Sequence, residues 1–183
     1  MRASTRLLII AALLSSCGPA RESESDAVRP RQSDSAATAL AGLPTCASGP
    51  APADQWPRLD QGPFSLQLPP DYARREVQGI DSHVGQFTAE GRTLGFDFGW
   101  YSNPLSSPDN AALRDYRACR DVTADRPARI VTARRDTAYF AGAAWRQVSE
   151  SAGGVNHLTI TVESRDSLGQ AEALRVFRSV RFR

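Results

Sequence analysis

Between Leu94 and Trp100 the chain reads Leu-Gly-Phe-Asp-Phe-Gly-Trp, with a large apolar side chain at every other position. Only an extended strand sends alternate residues to one face, so this stretch belongs to a sheet with one side covered. A strand needs partners. Residues 79–88, a turn at Ala89-Glu90-Gly91 and residues 92–101 read as a hairpin, with the alternation on its second arm. Phe64-Ser65-Leu66-Gln67-Leu68 repeats the pattern and is stopped by Pro69-Pro70. Ile130-Val131-Thr132, Tyr139–Val148 and Val155–Glu163 read as further strands, the last two joined by a turn at Gly153-Gly154.

Helical signals are fewer. Ser107 with Pro108 after it marks a helix start, and a short helix to about Tyr116 would bury Ala112, Leu113 and Tyr116. Ser167 and Gln170 fit a capping box, and Leu168, Ala171, Leu174 and Phe177 recur at helical spacing with Arg175 and Arg178 facing out. The chain then closes with a short strand, Ser179-Val180-Arg181-Phe182. The expected class is α+β: a single domain with a largely antiparallel sheet and about two helices, including a C-terminal helix followed by a short strand.

The N-terminus has a different logic. Arg2 and Arg6 precede the apolar run Leu7–Leu14, and Ser15-Ser16 lead to Cys17. A basic start, a short apolar run and small residues before a cut make a secretory signal, and the run is too short to span a bilayer permanently. Leu14-Ser15-Ser16-Cys17 resembles the lipobox of bacterial lipoproteins. The resemblance implies that residues 1–16 are a signal peptide and that Cys17 carries lipid, palmitate included, at its new N-terminus. It places the protein in the cell envelope. Gly18 is not the aspartate that retains such proteins in an inner membrane, so the expected site is the periplasmic face of the outer membrane in a host with two membranes. Residues 17–58, rich in Ala, Ser and Pro and without periodicity, read as a flexible tether whose last part, around Cys46 and Trp56, can lie down on the domain, and residues 59–183 as the globular domain.

Once Cys17 is lipidated, Cys46 and Cys119 remain as an even pair in an oxidising compartment, which points to a disulfide; reactive thiols are the alternative. The formal charge is +2, and it vanishes when Arg2 and Arg6 leave with the signal. Nothing in that balance calls for nucleic acid. All 22 basic residues are arginine. Arginine suits bidentate binding of carboxylate or phosphate, but the bias runs the whole length of the chain, as codon composition would make it.

Phe64-Ser65-Leu66-Gln67-Leu68-Pro69 at the start of the domain, with Leu174-Arg175-Val176-Phe177-Arg178-Ser179-Val180-Arg181-Phe182 at its end, resembles the PsbP/Mog1-like envelope and accessory domains over residues 62–183. Those domains are mostly accessories of larger assemblies. The resemblance implies binding rather than catalysis and carries over no functional residue.

Catalytic signatures are absent: G-x-S-x-G, H-E-x-x-H, Walker A, G-x-G-x-x-G and CxxC do not occur, and no cofactor is expected. Any triad or zinc site must use His83 or His157. A two-residue turn at Gly153-Gly154 sets His157 opposite Glu150, an ordinary cross-strand pair. His83 depends on register. With a two-residue turn at Glu90-Gly91 it faces Phe98, and Asp97 faces Val84. With a three-residue turn at Ala89-Glu90-Gly91 it faces Asp97, with Asp81 beside it, while Val84, Leu94, Phe96, Phe98 and Trp100 are buried together. The second register hides fewer charges and is the one expected. It gathers Asp81, His83 and Asp97 on one face as a candidate binding site, with Gly85, Gly95 and Gly99 around them. Two functions follow: a lipid-anchored binding or accessory module with an envelope protein partner, or a small envelope hydrolase or metal-binding enzyme built on those three residues. Few convergent groups are visible, which favours the first.

Overall fold

The computed structural model describes residues 40–47, 49, 51–106, 113–151 and 154–183. In chain order the elements are β1 (Arg58–Asp60), β2 (Phe64–Gln67), β3 (Ala73–Arg75), β4 (His83–Ala89), β5 (Arg92–Gly99), β6 (Leu113–Thr123), β7 (Arg126–Arg135), β8 (Ala138–Ser151), β9 (Gly154–Ser164), α1 (Ser167–Ser179) and β10 (Arg181–Phe182). The described strands form a seven-stranded sheet in the order β3-β4-β5-β9-β8-β7-β6 and a small sheet in the order β1-β2-β10. Every pairing between these strands is antiparallel.

Helix α1 and the small sheet lie on one face of the large sheet, and the core fills the space between. Phe64 and Leu66 of β2, with Leu68 just after it, pack in one core with Leu94, Phe96 and Phe98 of β5 and Leu158, Ile160 and Val162 of β9. Phe64 meets the Phe96 ring edge-on with centroids 5.2 Å apart. Trp145 from β8 is fully buried and meets Phe182 of β10 at 5.9 Å. A second, smaller cluster lies on the other face, where Val131, Ala133 and Phe140 are covered by Leu105, Leu113 and Tyr116. The balance is more sheet-rich than an even α+β mixture, although the C-terminal helix and the short strand after it are present.

The expected helix from Ser107 is not formed where it can be followed. Residues 107–112 lie outside the described residues, and Leu113–Tyr116 begin β6. Asp115 has φ 54°, and the β6–β7 register shifts between Arg114 and Arg117. A bulge adds one residue to the strand, so Leu113 and Tyr116, three apart, fall on the same face. That spacing imitates a helix.

Helix α1 starts one residue earlier than expected. Asp166 is the N-cap, accepting the Gly169 N–H at 2.9 Å. The stripe is also rotated: Gly169, Ala173, Val176 and Phe177 are buried, Leu174 is half-buried, and Leu168 and Ala171 are exposed. Packing on β8, β9 and β2 selects that face.

Candidate functional site

The hairpin takes the register that was not expected. His83 pairs with Phe98, Val84 with Asp97, and Ala89 with Arg92, which leaves Glu90-Gly91 as a two-residue turn. Gly91 has φ 67°, a conformation open to glycine without a side-chain penalty. One contact accounts for it. A Cβ on Gly85 would lie 2.2 Å from the Phe96 ring, so the glycine opposite Phe96 gives that ring its space. Leu94, Phe96 and Phe98 all reach the core. Trp100 does not join them: β5 ends at Gly99, and Trp100 is partly exposed beyond it.

The register separates the expected binding residues. Cross-strand partners share a face, so His83 is on the core-facing side at the exposed end of β4, its ring 5.2 Å from Phe96, while Asp97 points to the far side. Asp81 is in the loop before β4. One carboxylate oxygen of Asp97 is buried without a hydrogen-bond partner. Among the described residues no group of three His, Cys, Asp or Glu side chains is placed to hold a metal ion.

His157 is also placed differently. Near the turn Ser149 pairs with Asn156 and Glu150 with Val155, and the register shifts again between Trp145 and Ser149. His157 faces that bulge, where Gln147 has φ 56°, and its Nδ1 accepts the Gln147 N–H at 2.9 Å. Burial, with the Arg146 guanidinium nearby, holds its pKa below the ordinary histidine value.

Cys46 and Cys119 are joined, with Cα atoms 4.9 Å apart. The bond is reinforced by backbone pairing: the Cys46 N–H donates to the Arg120 carbonyl at 2.9 Å, and the Arg120 N–H donates to the Pro44 carbonyl at 2.8 Å. Thr45 thereby forms a parallel bridge with Arg120, and the segment covers the edge strand β6. Leu40 and Ala53 are buried, and Trp56 packs against the core.

This attachment makes a groove. Pro44–Ala47 form one wall and α1 the other, through Leu174, Phe177 and Arg178; Cys119, Ile130 and Thr132 are the floor. The hollow measures about 470 Å³. Arg117, Cys119 and Asp121 alternate along β6, so all three face it. Four steps of strand separate Arg117 from Asp121, about 13 Å. Toward Asp121 the groove is bounded by an ion pair, Arg178 Nε to Asp121 Oδ2 at 3.1 Å, and Arg178 also donates to the Ala47 carbonyl. Arg117 is exposed and has no ion-pair partner among the described residues. Composition alone gave no sign of this groove, because its wall comes from a segment that reads as tether.

Two other features are chemically closed. Beside the turn of the hairpin, Arg92 pairs with Glu172 of α1 at 2.6 Å and with Asp71, and lies over the Tyr72 ring at 5.3 Å. Burial, then Glu172, pushes the Tyr72 phenol well above its ordinary range. Each charge here is matched, which makes the group a fastening between helix and sheet. On the far face a hollow of about 690 Å³ is lined by Tyr101, Leu105, Tyr116 and Arg135, and Arg135 is already paired with Glu163 at 2.6 Å.

No protein-family model and no curated protein matches the chain. Among solved structures, it is similar to LpqN, described as involved in cell envelope biogenesis of Mycobacterium tuberculosis. The TM-score is 0.45 and the sequence identity 11%, over 73% of this chain and 88% of that chain. A likeness of that degree transfers no residue role.

Proposed function

We propose that the protein is a lipid-anchored binding module of the cell envelope. Cys17 is its anchor, and the groove between Pro44–Ala47 and α1 is its ligand site. The observation that carries this reading is the groove. It is apolar along Ile130, Leu174, Phe177 and the disulfide, and it has one unmatched cation, Arg117, at its rim. Ligand sites of this size are typically apolar hollows with a few oriented polar groups. An acyl chain fills such a floor by the hydrophobic effect, while a carboxylate or phosphate head takes the guanidinium in two parallel hydrogen bonds. The ligand class is an anionic single-chain amphiphile. The hydrolase alternative needs His83 and Asp97 on one face, and the two lie on opposite faces of the hairpin.

Two measurements test the two halves separately. The wild-type chain partitions with membranes and the Cys17→Ser chain does not; equal partitioning of both sinks the anchor. The Cys17→Ser chain displaces a fluorescent fatty acid with decanoate. Leu174→Trp, which fills the groove, abolishes this binding, and Arg117→Glu weakens decanoate but not decanol. Unchanged decanoate affinity in Leu174→Trp removes the groove as the site.

A further inference from the structure

Six large hydrophobic side chains are exposed among the described residues, and four of them share one end of the large sheet. Val77 and Ile80 are on the loop before β4, and Trp100 and Tyr101 follow β5. These loops touch: a Cβ on Gly99 would lie 2.7 Å from Ser82 Cβ and 3.8 Å from the Asp81 carbonyl oxygen. The Trp100 ring is seated on Gly154 of β9, where a Cβ would come within 3.0 Å of it. Ile80 is 103% exposed and Tyr101 77%, so this is a protrusion with a rigid backing rather than a groove. Exposed apolar side chains gathered at one end of a folded domain mark a contact site.

The occupant follows from composition and from the chain outside the described residues. Tryptophan and tyrosine with an aliphatic neighbour are the side chains that favour a membrane–water interface, where an apolar body and a polar tip are both satisfied. Only 22 residues lie between Cys17 and Leu40, at most about 80 Å when fully stretched. An anchored domain is therefore never far from lipid, and a second contact is intramolecular at high effective concentration. The nearby charges are mixed: Arg74, Arg75 and Glu76 adjoin Val77, Asp81 adjoins Gly99, and Arg146 donates to the Ser102 carbonyl. The contact is accordingly apolar and independent of anionic lipid. We propose that Ile80, Trp100 and Tyr101 form a tip that inserts into the lipid interface and fixes the orientation of the anchored domain on the membrane. Proximity to lipid rests on the anchor proposed above; the tip itself rests on the exposed side chains.

Trp100 is its own probe. The full chain is reconstituted in phosphatidylcholine vesicles containing brominated acyl chains, and the emission lost is compared with that of Trp100→Leu, which leaves Trp56 and Trp145 as controls. Trp100 is expected to be quenched, and Ile80→Asp to relieve the quenching with no change in thermal midpoint. The Cys17→Ser chain, titrated with the same vesicles, separates tip from anchor. It binds weakly, and Ile80→Asp weakens it about tenfold further, the loss expected from removing one partly buried aliphatic contact. If the wild type proves not to be anchored, this titration alone decides the tip. Unquenched Trp100 in the anchored chain overturns the proposal. So does a loss of envelope-protein capture in Ile80→Asp without quenching, which would assign the surface to a protein partner.

Discussion

Cys46 is bonded to Cys119 in the middle of the edge strand β6, so a segment remote in sequence from the sheet becomes a wall of its groove. The bond spans 73 residues of sequence, which enclose β1 to β5. Closing such a loop stabilises the fold by about 2–4 kcal/mol, mainly by restricting the unfolded chain. Replacing both cysteines by alanine should lower the unfolding free energy by that amount and open the groove to solvent. In the Cys17→Ser chain, thiol labelling after unfolding without reductant should find no reactive cysteine. Two labelled thiols would refute the bond.

Phe177 is fully buried under α1, whereas Leu168, on the same helix, is 78% exposed. Phe177→Ala should cost about 3–5 kcal/mol, and Leu168→Ala no more than about 0.5 kcal/mol. Denaturant midpoints read both. Equal losses would mean that the helix presents a different face.

The hairpin register has a signature in its glycines. Gly85 lies against the buried Phe96 ring, while a Cβ on Gly95 would meet only the Thr161 hydroxyl at 3.7 Å and the Gly85 carbonyl at 4.0 Å. Gly85→Ala should cost about 1–3 kcal/mol through overpacking. Gly95→Ala should be close to neutral, within about 0.5 kcal/mol. A larger loss at Gly95 than at Gly85 would favour the slipped register, in which His83 faces Asp97.

These glycines also show what was legible in the sequence. Strands β2, β5 and β9 were readable because burial on one side enforces period two, and the existence of the C-terminal helix because helical spacing is local; its cap, Asp166 rather than Ser167, and the face it buries were set by packing. The disulfide followed from the parity of the cysteines. Register was not readable. A turn at Glu90-Gly91 and one at Ala89-Glu90-Gly91 differ by a single residue, and the choice is made by the fit of Phe96 over Gly85, a tertiary contact. The bulges at Asp115 and Gln147 were hidden for a related reason: an added residue shifts which side chains share a face and leaves no mark in composition. The first leaves Leu113–Tyr116, the end of the expected helix, in β6, and the second moves His157 away from Glu150. The groove was out of reach as well: a disulfide can pin the end of the tether to the domain, but the hollow between that segment and α1 depends on where both lie across β6.

His157 supplies a pH test. Its Nδ1 accepts the Gln147 N–H, which only the unprotonated nitrogen can do, and burial together with Arg146 further disfavours the imidazolium. The folded-state pKa therefore lies below the unfolded value of about 6.5. Between the two values the unfolded chain binds more protons than the folded one, so stability rises with pH across that interval. The contribution is complete above about 6.5 and is lost as pH falls toward the folded pKa. Carboxylates also titrate on the acid side, so the measurement is a difference. Unfolding free energies of wild type and His157→Gln are compared from neutral pH down through this interval. The wild type should lose more, and NMR titration should place the His157 midpoint below the model value. A midpoint at or above that value would mean that the imidazole is not held by the bulge.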